Sequence, residues 1–210
     1  MTFTRDYALV VRRVSMGEYA TIVADPPWQV SAGRTIGAYL RTPDGSQPFG
    51  VVSNAARRLA YPSMSVQQIA ALRVPAAEDA HLYLWTINKH LQAAFDVVAA
   101  WGFTYSTTLV WAKRPMGGGL GGCYGLATEF CLFARRGRLK ALTRVGRNWF
   151  DWKRPYDKRG KPKHSAKPPE FFSMVEAISP GRHLELFARA PRAGWHVWGN
   201  EVESDVQIAA

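Results

Sequence analysis

Cysteine is scarce in this sequence: the 210 residues contain only Cys123 and Cys131. Two cysteines make neither a disulfide framework nor a four-cysteine metal site, so we expect a reduced, cytoplasmic setting with two packed thiols. Long apolar runs are missing as well. No stretch approaches the roughly 20 consecutive apolar residues that a membrane-spanning helix needs, and we therefore expect no membrane insertion.

Signals for secretion and for metal binding are also lacking. Residues 1–14 carry four charged side chains and no long apolar run, unlike a secretory signal peptide. The five histidines show no spacing typical of metal ligands, and we predict no metal; they are His81, His90, His164, His183 and His196.

Acidic residues are rare in one stretch, residues 135–163, which we call the basic segment. It holds twelve Lys or Arg but only Asp151 and Asp157, a balance of +10 in a chain whose net charge is +11. The rest of the chain is therefore almost neutral. A basic segment on a neutral domain favours a polyanionic partner such as nucleic acid.

Alternating strand-like and helix-like patterns predict one α/β domain over residues 1–210, with a largely parallel sheet. Strands are predicted at 19–24, 81–86, 106–113, 129–135, 183–189 and 195–201, and helices at 65–72, 88–101 and 168–178. Ser65 and Gln68 form a capping box, and Asn88 and Gly102 are expected to cap the second helix. The segments 29–60 and 136–166 are predicted to be loops over the active-site face.

The stretch "TIVADPPWQV" (21–30) ends a buried strand on Asp25, Pro26, Pro27 and Trp28. The carboxyl edge of an open α/β sheet is where ligands bind. The prolines lack N–H donors but keep their carbonyls, so with Asp25 they present acceptors beside the flat indole. An exocyclic amine on a nucleobase matches that arrangement. The alternative on four letters alone is a proline-stiffened turn with an incidental aspartate.

The sequence resembles the Asp-Pro-Pro-Trp family of adenine-N6 methyltransferases, which includes the catalytic subunit of the eukaryotic mRNA adenosine methyltransferase and bacterial and phage DNA enzymes. Four further stretches fit the order of motifs in that family: "YPSMS" (61–65), "LYLWTINKH" (82–90), "HSAKPPEFFSMVEAISPG" (164–181) and "LELFARAPRAGWHVWGNEV" (184–202). The resemblance covers residues 19–202. It implies a Rossmann-like, class I methyltransferase fold in circularly permuted order, with the catalytic motif before the cofactor motif.

The resemblance also implies S-adenosyl-L-methionine as cofactor, S-adenosyl-L-homocysteine as product, and roles for particular residues. Asp25 and the Pro26 carbonyl would accept hydrogen bonds from the adenine N6 amine, and Trp28 would stack on the base or line its pocket. The cofactor side would consist of Asp25, Lys167, Arg189, Asn200, Glu201 and, near the N-terminus, Asp6 and Tyr7. Ala188 stands where the family often has glycine. A strand-edge ion pair is the alternative role for Glu185 and Arg189.

The nucleic-acid side is predicted from the basic segment, in which aromatic rings alternate with charges. The candidate substrate contacts are Tyr61, Lys113, Arg147, Trp149, Lys153, Arg154, Lys158 and Arg159, with Arg34, Arg41, Arg57 and Arg58 on the opposite loop. A solvated basic face is the alternative. Gly117, Gly119 and Gly122 fit G-x-G-x-x-G, but no helix pattern follows, so dinucleotide binding is not expected.

These observations predict a methyltransferase acting on the N6 amine of adenine, most favourably in DNA, in the cytoplasm of a bacterial or phage-infected cell. Two alternatives stay open: an RNA adenosine methyltransferase, and a non-catalytic nucleic-acid-binding subunit of the same fold. A homodimer is an open alternative to a monomer.

Overall fold

The computed structural model describes residues 18–29, 62–113, 126–160, 163 and 166–209. Within these ranges the elements follow the order β1 (Tyr19–Ala24), α1 (Val66–Ala70), β2 (Ala76–Thr86), a 3-10 turn (Asn88–His90), α2 (Leu91–Ala100), β3 (Thr104–Ala112), β4 (Thr128–Arg136), β5 (Trp149–Phe150), α3 (Pro169–Ile178), β6 (His183–Leu186) and β7 (Trp195–Trp198).

The seven strands form a single sheet in the order β5-β3-β4-β2-β1-β6-β7. β1 lies between β2 and β6 and is parallel to both, and β6 is parallel to β7. β4 is antiparallel to its neighbours β2 and β3. The mostly parallel α/β sheet that the sequence predicts is thus confirmed, and β1, which leads into Asp25, lies near its centre.

Helices cover both faces of the sheet because neighbouring residues of a strand point to opposite sides. Ile22 and Ala24 of β1 belong to one apolar cluster, which also contains α1 and α2 residues such as Ile69 and Val97. Val23, between them, belongs to the other cluster with Phe171 of α3. The domain therefore has three layers, with the sheet in the middle.

Local signals account for several element ends. The Ser65 side chain accepts from the Gln68 backbone and the Gln68 side chain accepts from the Ser65 backbone, so the predicted capping box is present. Gly102, with φ of 74°, follows the C-terminus of α2, where a left-handed conformation favours glycine. The prediction that Asn88 caps this helix was wrong. Asn88 opens a 3-10 turn, and α2 begins at Leu91 without a side-chain cap.

Two predicted strands are shorter in the structure. β6 ends at Leu186 and β7 at Trp198, so residues 187–189 and 199–201 form turns after the strands. β5 was missed in the basic segment because two residues carry no periodic pattern. Trp149 and Phe150 pair with Val110 and Trp111 of β3, and this short strand forms one edge of the sheet.

A buried polar chain links β2 to the C-terminal end of α3. The His81 Nε2 lies 3.2 Å from the Leu139 carbonyl oxygen, so this nitrogen carries the proton and donates. The His81 Nδ1 therefore accepts from the Ser179 hydroxyl at 2.8 Å, and the Tyr83 hydroxyl donates to Ser179 at 2.8 Å. Leu142 also donates its N–H to the Ile178 carbonyl, which places residues 139–142 beside the end of α3.

Candidate active site

Asp25 directly follows β1, at the carboxyl edge of the sheet where the ends of the parallel strands meet. Its backbone N–H donates to the Leu186 carbonyl oxygen at 3.4 Å, so the end of β1 is tied to the end of β6. The Asp25 side chain keeps 25% of its surface exposed. Its carboxylate is thus both fixed at the edge and reachable from solvent.

The two prolines form a tight turn after Asp25. The Trp28 N–H donates to the Pro26 carbonyl oxygen at 2.8 Å, a three-residue turn whose central position suits the fixed φ of Pro27. The Pro27 carbonyl accepts from the Met64 N–H at 2.9 Å, which joins the turn to the segment before α1. Each carbonyl oxygen has two lone pairs, so Pro26 retains an acceptor for a ligand.

Trp28 is a packed side chain with only 5% of its surface exposed. Its Nε1 donates to the Trp85 carbonyl oxygen at 3.0 Å, and its ring stacks on His90 with 5.3 Å between the ring centroids. His90 therefore covers one face of the indole, and the role of Trp28 in stacking on the base or lining its pocket stays a prediction. Trp28 fixes the position of the turn against the end of β2.

Lys167, just before α3, lies against Asp25. The distance from its Nζ to Asp25 Oδ2 is 2.6 Å, and the lysine side chain is 7% exposed. The same Nζ lies 3.2 Å from Glu129 Oε2. It also sits over the Trp85 ring, 5.1 Å from the centroid, a favourable place for a cation.

Glu129, near the start of β4, is a site residue that the sequence analysis did not identify. Its second carboxylate oxygen pairs with Lys113 at the end of β3. The signal available was a carboxylate in the otherwise apolar strand "EFCLFA", but a charge at a strand end is common enough to escape notice. Lys113, predicted to contact substrate, is thereby placed in the same charge cluster as Asp25.

The buried charges alter one another's pKa values. Desolvation is the largest effect on Asp25 and raises the pKa of its carboxyl, although Lys167 opposes it. For Lys167, desolvation favours the neutral amine, but Asp25 and Glu129 outweigh it and raise its pKa. Desolvation likewise opposes the charge on Glu129, yet Lys167 and Lys113 prevail and lower its pKa. The cluster is therefore held as alternating cations and anions.

Three of the predicted cofactor residues, Arg189, Asn200 and Glu201, lie in the turns after β6 and β7, the strands next to β1 on one side of the sheet. Arg189 Nε is 3.8 Å from Glu201 Oε1, which links the two turns. Asn200 is exposed at the same edge. Phe187 has φ of 63°, a strained value for a residue with a side chain, and such strain is concentrated at functional sites. The sequence analysis missed Phe187, since nothing in its identity signals this conformation.

Gly199 and Ala188 make the closest backbone approach of these turns. A Cβ on Gly199 would lie 2.2 Å from the Ala188 carbonyl oxygen, so no side chain fits there. The Ala188 N–H donates to the Trp198 carbonyl at 2.9 Å. The methyl group of Ala188, where the family often has glycine, is buried without distorting this contact.

Glu185 of β6 pairs with Arg192, with 3.3 Å between carboxylate oxygen and Nε, rather than with Arg189. The Arg192 guanidinium also covers the Phe172 ring at 3.3 Å. Desolvation raises the pKa of Glu185, and Arg192 partly offsets this. The strand-edge ion pair expected for Glu185 therefore exists, with a different arginine.

The aromatic residues of the basic segment divide into two groups. Phe150 and Trp152 stack on each other at 4.2 Å, and the Trp152 carbonyl accepts from the Trp111 Nε1 at 2.8 Å. These two rings pack the protein. Trp149 and Tyr156 are 45% and 43% exposed.

The basic residues predicted to contact the substrate differ in their burial and in their neighbours. Arg147 lies over the Phe150 ring at 5.5 Å, and the Nε of Arg154 is buried without a hydrogen-bond partner among the described residues. Lys153, Lys158 and Arg159 are exposed. Asp6, Tyr7, Tyr61, His164, the glycines at 117–122 and almost all of the loop at 29–60 with its arginines lie outside the described residues.

Two kinds of feature are absent from the ranges that the structure describes. There, no group of three or more His, Cys, Asp or Glu side chains is arranged to hold a metal ion. Of the helices that the structure describes, none has the length and apolar character needed to cross a membrane.

The chain is similar in sequence to known proteins. The sequence model of the MT-A70 family matches residues 19–201. The chain is 30% identical over 195 residues to the type II methyltransferase M.MunI of a Mycoplasma species, which covers 88% of this chain and 78% of that protein.

Eukaryotic proteins are similar over the same region. The chain is 26% identical over 198 residues to the N(6)-adenosine-methyltransferase MT-A70-like protein of Drosophila melanogaster, covering 90% of this chain and 28% of that protein. It is 23% identical over 198 residues to the human N(6)-adenosine-methyltransferase catalytic subunit METTL3, covering 90% and 29%. The chain thus spans less than a third of these two relatives.

Proposed function

The chain belongs to the MT-A70 family, and from that premise we propose that it transfers a methyl group to the N6 amine of adenine in DNA, with S-adenosyl-L-methionine as donor. The observation that carries the proposal is the carboxylate of Asp25, partly exposed at the carboxyl edge of the sheet and held there by Lys167. DNA is favoured over RNA because the chain covers most of a type II methyltransferase but a small part of the adenosine enzymes.

Asp25 and the Pro26 carbonyl supply acceptors for the two N–H groups of the amine. Because both are acceptors, they orient the nitrogen lone pair away from the protein and toward the methyl donor. When bound, S-adenosyl-L-methionine supplies a methyl group whose bond to sulfur breaks as the bond to nitrogen forms, leaving S-adenosyl-L-homocysteine. The nitrogen then loses one proton to the Asp25 carboxylate, which passes it to water. Positioning and electrostatics do most of the catalytic work.

The turns after β6 and β7 fit the cofactor by the chemistry of their side chains. Arg189, Asn200 and Glu201 offer donors and a carboxylate acceptor, as a ribose and an adenine require. Lys167 has three N–H donors and uses two on Asp25 and Glu129, so one remains for the carboxylate of the cofactor. The strained backbone at Phe187 shapes the turn between the two groups.

The basic segment would hold the nucleic acid. Trp149 and Tyr156 offer exposed rings, and base stacking on such rings is worth about 1–3 kcal/mol for each base. Lys153, Lys158 and Arg159 are exposed cations that can contact phosphates. An adenine in a duplex would have to leave the base stack to reach Asp25. We place the enzyme in the cytoplasm of a bacterial or phage-infected cell, which the similarity to M.MunI supports.

Methylation with a labelled donor tests the proposal. The protein is incubated with methyl-labelled S-adenosyl-L-methionine and with randomised DNA or RNA oligonucleotides, which are then digested to nucleosides. We expect label on the N6 of deoxyadenosine. Asp25→Ala should abolish it while calorimetry shows cofactor binding close to wild type, and Asp96→Ala, at an exposed aspartate of α2, should retain full turnover.

Two other results would count against the proposal. Label on adenosine in RNA alone would exclude DNA as the substrate class. Absence of label on adenine in both pools would leave the alternative of a non-catalytic nucleic-acid-binding subunit.

A further inference from the structure

The direction of β4 brings Glu129 to the active site. The other strands of the sheet run with β1, so their C-terminal ends lie at the edge that carries Asp25. β4 is antiparallel to β2 and β3, so its start lies at the edge where they end. Glu129 is the second residue of β4, and it therefore lies beside Lys113, which follows β3.

Each carboxylate oxygen of Glu129 lies beside a lysine ammonium. Oε1 pairs with Lys113, and Oε2 lies 3.2 Å from Lys167. Lys167 in turn lies 2.6 Å from Asp25. The four side chains form one row, Lys113–Glu129–Lys167–Asp25, in which cations and anions alternate and the formal charge sums to zero.

A lysine ammonium needs more than one partner if it is to keep a single position. Its ammonium sits on a flexible four-carbon stem, and one carboxylate partner does not define its position. With two carboxylates and the Trp85 face around it, the Lys167 ammonium has a single favourable place. Removing one partner of a buried ion pair also leaves an uncompensated charge, which is costly.

We propose that Glu129, anchored by Lys113, is a positioning residue that holds Lys167 against Asp25 and so fixes the orientation of the Asp25 carboxylate toward the adenine amine. This inference rests on the proposed function. In this proposal Glu129 acts through Lys167, which it contacts directly.

The electrostatic consequence distinguishes this role from simple packing. The charged or titratable groups that act on Asp25 and its lysine are Lys167, Glu129, Arg189, Glu185 and Cys131. Glu129 raises the pKa of Asp25 and Lys167 lowers it. Glu129→Gln removes that negative charge, but it also releases Lys167, whose effect on the pKa of Asp25 is the larger of the two. The pKa of Asp25 should therefore rise in Glu129→Gln, as it should in Lys167→Met, whereas a variant that left Lys167 in place would lower it.

Steady-state kinetics of Glu129→Gln provide the first test. We expect kcat to fall about 100-fold, the loss typical of a small misplacement of a catalytic group. The KM for the oligonucleotide should stay close to wild type, whereas the cofactor affinity in calorimetry should fall, because Lys167 is also proposed to bind the cofactor carboxylate. Lys113→Met should cause a smaller loss, because Lys167 keeps both of its carboxylates. Glu18→Gln is the matched control, since it removes a carboxylate of similar exposure that pairs with Arg182 at the opposite edge of the sheet.

The second test needs no activity. The Asp25 carboxyl carbon is followed by carbon-13 NMR during an acid titration, with its signal identified by its loss in Asp25→Asn. We expect the midpoint to move up in Glu129→Gln and in Lys167→Met, and not at all in Glu18→Gln. The acid limb of the kcat profile should move in the same directions.

A midpoint that moves down or stays unshifted in Glu129→Gln would overturn the inference, as would wild-type kcat in a folded Glu129→Gln. Failure of the wild-type protein to label adenine in any oligonucleotide is a different result. It would contradict the proposed function, while the NMR titration would still show whether Glu129 acts on Asp25.

Discussion

His81 is a fully buried imidazole whose two nitrogens already have partners. The ring donates from Nε2 to a carbonyl and accepts at Nδ1 from Ser179. A second ring proton would displace the Ser179 hydroxyl proton and place a charge in the core. Desolvation accordingly lowers the pKa of His81 below its ordinary value of 6.5.

We predict that this histidine makes the fold sensitive to mild acid. Its pKa is lower in the folded state than in the unfolded state, so the unfolded chain binds the proton more readily. The contribution of His81 to stability is complete above about pH 6.5 and declines as the pH falls toward the lower, folded pKa. The loss is about 1.4 kcal/mol for each pH unit and bound proton. Urea unfolding between pH 7.5 and pH 5 measures it, and His81→Gln should unfold with a shallower pH dependence. An unchanged slope in that variant would contradict the prediction.

The active site was only partly predictable from single residues. Asp25 and Lys167 belong to recognisable stretches, and the structure brings them within 2.6 Å of each other across more than half the chain. Glu129 and Phe187 were missed, because a strand-end carboxylate and an aromatic residue have no distinctive sequence signal. What gives them importance is an antiparallel pairing and a backbone angle, which depend on the whole fold.

At the scale of elements, the contact between the turns after β6 and β7 depends on Gly199. A Cβ at this position would meet the Ala188 carbonyl oxygen at 2.2 Å and its nitrogen at 2.8 Å, and backbone atoms cannot move aside as a side chain can. We predict that Gly199→Ala lowers the free energy of unfolding by about 1–3 kcal/mol. It should also weaken cofactor binding, because Arg189 and Asn200 flank the contact. Urea unfolding and calorimetry measure the two effects.

Gly146→Ala is the matched control. Gly146 has no heavy atom near its would-be Cβ and is not in a left-handed conformation. A methyl group there should leave stability unchanged or raise it by up to about 1 kcal/mol through the unfolded chain. Equal effects of the two substitutions would show that the Gly199 contact is unimportant.

Long periodic elements were predicted well, and short or context-dependent ones were not. The buried strands and the capping box follow from local apolar patterns and from two side chains, Ser65 and Gln68. β5 contains only two residues and exists because β3 offers it an edge. The first turn after β2 became a 3-10 turn, although Asn88 favours capping, and His90 within it stacks on Trp28. A tertiary contact thus overrides a local preference.

For the molecule as a whole, the excess positive charge in the basic segment should govern nucleic-acid binding. Lys158→Ala combined with Arg159→Ala removes two exposed cations from it. If each neutralises one phosphate, the slope of log affinity against log salt should flatten by about 1.8 on duplex DNA and about 1.4 on a single strand. All oligonucleotide sequences should be weakened alike, because phosphate contacts carry no sequence information. Fluorescence anisotropy over a salt series measures the slope.

A double variant with the same change of charge controls for net charge alone. Arg73 and Arg182 are exposed and lie before β2 and β6, at the sheet edge opposite Asp25. Arg73→Ala with Arg182→Ala should keep the parental salt slope. If the two double variants behave identically, the basic segment is only a solvated face.

The position of β1 near the centre of the sheet has a consequence for the order in which the site is assembled during synthesis. β6, which pairs with β1, is synthesised roughly 160 residues after it. At about 5–20 residues per second, a ribosome needs roughly 8–30 s to add that length. For most of that interval Asp25 lacks Lys167, and for all of it the turn after β6. Under the proposed function, the nascent chain therefore carries the Asp25 carboxylate well before it can bind a methyl donor.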